Sequence, residues 1–202
     1  MPGFKREDFS FNAPNSITAI VSAVLLGISI SISSTATAKD FTPREVTDML
    51  HLQMTALHSV YSKKIIARLV NKDKVISASE EYEKDKALPL PAQMFRFGAE
   101  AVSNMTNKYS YSMLSEWPIN PNNIPITPTE LKGFKFIVQN EGKNFYTTEE
   151  IAGKKFFTAI YASRAISEAC VTCHNNHKSS PKKNFILNDI MGGIVIRLAQ
   201  DK

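Results

Sequence analysis

Cys170-Val171-Thr172-Cys173-His174 opens the stretch on which the reading of this 202-residue chain turns. It runs on as Asn175-Asn176-His177-Lys178-Ser179-Ser180-Pro181-Lys182-Lys183-Asn184-Phe185, and shortly afterwards as Leu187-Asn188-Asp189-Ile190-Met191-Gly192-Gly193-Ile194-Val195-Ile196-Arg197-Leu198. Two thiols three positions apart, with a histidine directly after the second, form the attachment pattern for a c-type haem. Each thiol can add across one vinyl group of a porphyrin. The next imidazole, on the same helical turn, can swing under the iron as a neutral proximal ligand. Cys170 and Cys173 are thus expected to carry one covalently attached haem c, with His174 on its iron. Two other chemistries use paired cysteines. A zinc site wants further cysteine or histidine pairs at short spacing, and the chain holds only two cysteines. A redox dithiol normally opens a helix after a strand in a βαβ context, which the surrounding pattern does not supply.

The N-terminus bears on the same question. Lys5 and Arg6 precede an uncharged run from Ile17 to Ile32, and Ala36-Thr37-Ala38 then supplies small residues before Lys39. That is the three-part layout of a secretory signal, with cleavage expected after Ala38. The run is short and serine-rich for a membrane span, although retention as an anchor is the alternative. Residues 1–38 are therefore read as a signal peptide and 39–202 as one periplasmic domain, where haem is ligated to such thiols. The net charge of +5 comes from scattered lysines rather than a stripe, which argues against a nucleic-acid partner.

Along the mature region, Thr42-Pro43 with Glu45 predicts a long helix to about Leu69, with Leu50, Met54, Leu57, Tyr61, Ile65 and Leu69 on one stripe. Residues 71–86 fit helix or loop. Leu88-Pro89-Leu90-Pro91 leads into a second helix from about Ala92 to Asn107, with Met94, Phe97, Ala101 and Met105 on one face and Met105 and Met113 expected in the core. Tyr109 to Met113 alternates like a strand, and Trp117 to Asn123 has turn chemistry. A third helix is expected from Thr129 or Glu130 to about Gln139, strands at 145–147 and 155–162, a helix from Arg164 to His174, and a last strand at 193–198. Helices first and antiparallel strands later make this an α+β domain.

Leu88-Pro89-Leu90-Pro91-Ala92-Gln93, the stretch from Tyr111 to Pro121 and the attachment block quoted above together resemble a known family. It is the bacterial periplasmic haem c domain with a PAS-like fold, found as the sensory half of receptors and as stand-alone single-haem proteins. The resemblance runs from about residue 55 to the C-terminus. It implies a central antiparallel sheet with a long N-terminal helix and flanking helices, and one haem against a face of the sheet. It also implies Cys170 and Cys173 as thioether residues and His174 as proximal ligand. Many relatives continue into a transmembrane helix and an output module. This sequence stops at Lys202, so a signal is expected to leave as an electron or through a separate partner.

The sixth iron position separates the functions. A strong side-chain ligand makes an electron carrier, whereas an open position binds a small gas or supports peroxide chemistry. Met94 leads as distal ligand. His51, Met54 and His58, at helical steps of three and four, are rivals. His177 is too close to His174 to reach the opposite haem face, and Arg96, Arg164 and Lys178 are candidates for pairing with haem propionates. Periplasmic electron transfer with a redox partner protein is the expected function. The alternative is a redox or diatomic-gas sensor acting through a signalling partner, and a small peroxidase ranks last for want of an acid–base constellation. The long helix also offers a seam for a homodimer.

Overall fold

The structure, a computed structural model, describes residues 40–200, so the signal-peptide reading of residues 1–38 lies outside the described residues. Helix α1 (Pro43–Val60) starts where its sequence says it should. The Thr42 hydroxyl accepts the Glu45 N–H at 3.2 Å, and the Glu45 carboxylate accepts the Thr42 N–H at 2.8 Å. This reciprocal cap satisfies two donors that the first turn leaves orphaned. The helix does not end at Val60 but changes winding. From Tyr61 to Lys72 it is π-wound, and the Asp73 N–H beyond it reaches the Arg68 carbonyl, five residues back, at 2.8 Å. The wider turns bury Ser62 and Ile66 beyond the buried Met54. Leu57, expected on the core stripe, lies in the α-wound part before them and is 57% exposed.

Residues 71–86, left open between helix and loop, finish the π-wound turn at Lys72 and carry the two-residue strand β1 (Ala78–Ser79), which pairs in parallel with β2 (Leu88–Pro89). Helix α2 (Pro91–Met105) follows, then β3 (Tyr109–Leu114), α3 (Pro128–Gln139), β4 (Phe145–Ile151), β5 (Lys154–Arg164), α4 (Glu168–Asn176) and β6 (Ile190–Ala199). Strands β3, β6, β5 and β4 lie in that order in one antiparallel sheet, with Tyr111 opposite Ile196, Tyr161 opposite Ile194 and Phe145 opposite Ile160. The β4–β5 turn is Ala152-Gly153, both with positive φ (50° and 75°), as a two-residue hairpin of matching twist requires.

Side-chain alternation along the strands builds two cores. Ala159, Tyr161, Ile194 and Ile196 share one with Met54 of α1 and Phe95 of α2. Phe145, Ile160 and Val195 share the other with Phe134 and Ile137 of α3. Gly193 lets α3 approach β6 closely, because a Cβ there would lie 3.0 Å from both Phe134 Cζ and the Tyr161 carbonyl. The α+β architecture with a long N-terminal helix and antiparallel sheet is as expected.

Two further details differ from the sequence reading. Helix α2 buries Phe95, whose ring meets His58 edge-on at 5.8 Å and Tyr111 at 5.1 Å, while Met105 is 83% exposed at the helix end. The helix has neighbours on two sides, since Phe97 packs on Tyr82 at 5.6 Å, so a single-stripe pattern misjudges it. Arg164 belongs to β5, and the cysteine-bearing helix starts only at Glu168.

Candidate functional site

Helix α4 fills the crossover between β5 and β6, and its footing is built by backbone. The Ala165 N–H donates to the Asp189 carbonyl at 2.9 Å, and the Asn188 N–H donates to the Ala165 carbonyl at 3.0 Å. Arg164 Nη1 adds a bond to the Asn188 carbonyl at 2.8 Å. The far end is held by Asn175. Its Nδ2 donates to the Phe185 carbonyl and its Oδ1 accepts the Phe185 N–H, both at 2.9 Å. Phe185 is thereby fixed in a small core with Ala165 and Met191, against which Trp117, Cys170 and Val171 pack. Lys182 Nζ sits 4.5 Å from the ring centres of both Trp117 and Phe185, so a cation caps the aromatic pair. Neither Asn175 nor Lys182 carried a sequence signal, because both act across a loop whose path the sequence does not specify.

Cys170, Cys173 and His174 stand at helical steps of three and four, on one face of α4. Both thiols are free. Cys170 is half-buried with its Sγ 3.3 Å from the Ser167 hydroxyl, and Cys173 is exposed. Desolvation pushes the Cys173 thiol up, with Cys170 and Glu80 adding to the effect. A redox dithiol needs the opposite shift, towards thiolate. No group of three or more His, Cys, Asp or Glu side chains suited to a metal ion occurs among the described residues.

His174 is the informative residue. Burial, then its neighbour His177, holds the imidazole below its usual pKa, so the ring is neutral at pH 7. Its edge packs on Phe185 at 5.9 Å. Its Nδ1 is buried with no hydrogen-bond partner. A buried, unpaired ring nitrogen is costly unless something outside the polypeptide satisfies the ring. A neutral imidazole beside two free thiols on one helical face is the donor set a covalently held haem uses, and the residues fit that group.

His177 closes α4 and turns away. Its N–H donates to the Cys173 carbonyl at 2.9 Å, and its Nε2 lies 3.4 Å from Glu80 Oε1. Glu80 in turn ties this end of the molecule to α2, since Gln93 Nε2 donates to the Glu80 carbonyl at 2.8 Å. Met94, the next residue, is half-buried on that first helical turn. The three rivals for the distal position share the sheet-facing side of α1. His51 stacks on Tyr161 at 4.0 Å and 5°, Met54 is buried in the core, and His58 meets Phe95. Burial depresses both imidazoles, with Asp48 partly opposing it at His51. Arg96 pairs with Glu100, and Arg164 also reaches Glu141 at 3.1 Å. A cavity of about 950 Å³ opens at the other end of the sheet, by Tyr109, Lys154 and Ala199, away from α4.

A family model described as Tll0287-like matches residues 38–199. The chain belongs to the Tll0287-like family. Its fold is also that of a solved structure, the cyanobacterial haem protein Tll0287, with a TM-score of 0.50 over 80% of this chain and 99% of that one. At 14% identity this likeness speaks for the fold alone. No curated protein matches the chain. Membership bears out the resemblance read from the attachment block and the two upstream stretches, together with the PAS-like α+β architecture it implied.

Proposed function

We propose that this Tll0287-like protein is an exported c-type haem protein. In this reading Cys170 and Cys173 hold one haem through thioether bonds, and His174 is its proximal ligand. The observation that carries it is the half-buried imidazole of His174 on the same helical face as two free thiols. Support comes from the likeness to a haem protein and from the Cys173 thiol, which burial pushes away from the thiolate a redox dithiol needs. Bound there, the group would supply a one-electron iron couple.

The chain's own residues then have definite tasks. Asn175 and Phe185 hold the imidazole's orientation, and Asp189 and Ala165 fix the footing of α4. Exposed Cys173 places one attachment point at the surface, which suits electron exchange with a redox partner protein in the periplasm. Met94 is proposed as the distal ligand, because the turn that bears it is tied through Gln93 and Glu80 to the end of α4.

The second reading is a haem-based redox or diatomic-gas sensor working through a signalling partner. It is favoured by direct packing of α1 on the sheet, where His51 stacks on Tyr161 and could pass a change at the sheet to the long helix. One set of experiments tests both. The protein is produced in a host that matures c-type cytochromes, and its mass and its ferric and ferrous spectra are recorded with and without carbon monoxide. The carrier reading expects a haem-sized mass gain, a weak red band in the ferric state and no rapid carbon monoxide binding, with Met94→Ala abolishing the band. A colourless product at bare polypeptide mass refutes haem attachment. Ready carbon monoxide binding by the unaltered protein refutes the carrier in favour of the sensor.

A further inference from the structure

Helix α1 is apolar on two sides. Its inner side buries Thr47 and Met54 against the sheet. Its outer side carries Met49, Leu52, Leu57 and Val60, which are 46%, 67%, 57% and 54% exposed, with exposed Ala56 among them. A surface helix normally confines its apolar residues to the core-facing stripe. Four large exposed side chains within three turns amount to a patch rather than scattered apolar residues.

We propose that this outer face of α1 is a self-association surface, on which two copies of the chain pair through antiparallel α1 helices. The charges select both occupant and direction. Glu45 flanks the N-terminal end of the stripe, and exposed Lys63 and Lys64 flank its C-terminal end. A parallel pair sets these lysines against their own copies. An antiparallel pair brings Glu45 of each copy to Lys63 and Lys64 of the other, opposite charge meeting opposite charge. The same register places Met49 against Val60 of the second copy and Leu52 beside its small Ala56, large against small. The contact is modest. A helix of this length spans about 27 Å. One helix pair buries less than the ~1,600 Å² of a standard interface, so the dimer is weak and concentration-dependent. The surface lies on α1 and does not rest on the haem reading.

Sedimentation velocity on the intact purified protein, from ~1 µM to ~1 mM, tests this. The expected result is a monomer–dimer equilibrium weakened at least ~10-fold by Leu52→Glu or Val60→Glu. Lys63→Glu/Lys64→Glu should also weaken it, because two acidic ends then meet Glu45; in a parallel pair this swap would change nothing. All four positions are solvent-facing, and Leu52→Gln gives a milder variant should Leu52→Glu fold poorly, with circular dichroism as the check. A monomer at every concentration overturns the proposal. So does a dimer indifferent to Leu52 and Val60, which would locate association elsewhere. Loss with Leu52→Glu but not with the lysine reversal overturns the antiparallel arrangement. Binding of the stripe to anionic phosphatidylglycerol vesicles by a protein that stays monomeric assigns it to lipid and refutes the second copy.

Discussion

Arg197→Met should cost the fold about 3–5 kcal/mol at neutral pH, because it strips the cation from a buried cluster that keeps two carboxylates. Arg197 lies on β6, opposite Thr158 of β5. Its Nη2 donates to Glu130 Oε1 and its Nε to Glu149 Oε1, both at 2.8 Å. The three side chains are only 16%, 6% and 10% exposed. The Thr158 hydroxyl donates to the same Glu149 oxygen at 2.6 Å. Glu130 also caps α3, accepting the N–H groups of Ile126 and Thr127 at 2.9 and 3.0 Å.

Burial alone would push both carboxyls up. For Glu130 the cap N–H groups and Arg197 outweigh it, and for Glu149 hydroxyls and Arg197 do, so both end below the usual range. With folded pKa values below the unfolded value near ~4.3, the unfolded chain takes up protons first as the pH falls. The cluster's stabilisation is thus present above that value and lost as pH drops through it towards the folded values. Without Arg197, Glu149 keeps only hydroxyl donors and burial dominates, so its protonation relieves the variant. The deficit of Arg197→Met should therefore be largest near pH 7 and shrink towards ~pH 4. Denaturant unfolding followed by circular dichroism across that range measures it, against a total stability of about 5–15 kcal/mol. Adding Glu149→Gln to the variant should recover part of the loss. A deficit below about 1 kcal/mol at pH 7, or one flat with pH, refutes the reasoning.

Three further outcomes follow from the same geometry. Asn175→Ala leaves the Phe185 N–H and carbonyl without their partner and should cost about 1–3 kcal/mol, with a lower yield of covalently haemylated protein by mass spectrometry. Tyr161→Phe removes a 2.7 Å bond from the phenol to Asp48, but Tyr146 donates to the same oxygen at 2.7 Å; the thermal unfolding loss should stay near ~1 kcal/mol. Burial holds His51 and His58 below their ordinary pKa, so the unfolded chain binds protons first and stability should fall as pH drops below ~6.5. His58→Gln should flatten that slope in unfolding titrations between pH 5 and 7, and an unchanged slope would show that His58 is not its source.

Much of this architecture was legible because local chemistry dictates it. Thr42 with Glu45 set the start of α1, and Leu88-Pro89-Leu90-Pro91 that of α2, through interactions spanning three or four residues. The alternating residues of β3 and the apolar run of β6 wrote their own strands, and the attachment motif needs only one helical turn. Less was legible wherever the deciding contact is remote in sequence. The π-winding after Val60 carries Ile66 inward, Leu57 stands exposed in the α-wound part before it, and the two-sided packing of α2 put Phe95 rather than Met105 in the core.

By itself, then, the sequence determined the α+β class, the order of elements and the placing of Cys170, Cys173 and His174 on one helical face, because each depends on spacing within a turn or a strand. Tertiary structure alone decided that Glu80, thirteen residues before Gln93 and nearly a hundred before His177, links α2 to the end of α4. It alone brought Glu130, Glu149 and Arg197 together beneath α3. Charges and amides so far apart along the chain leave no periodic mark on it, since they meet only once the sheet register has closed.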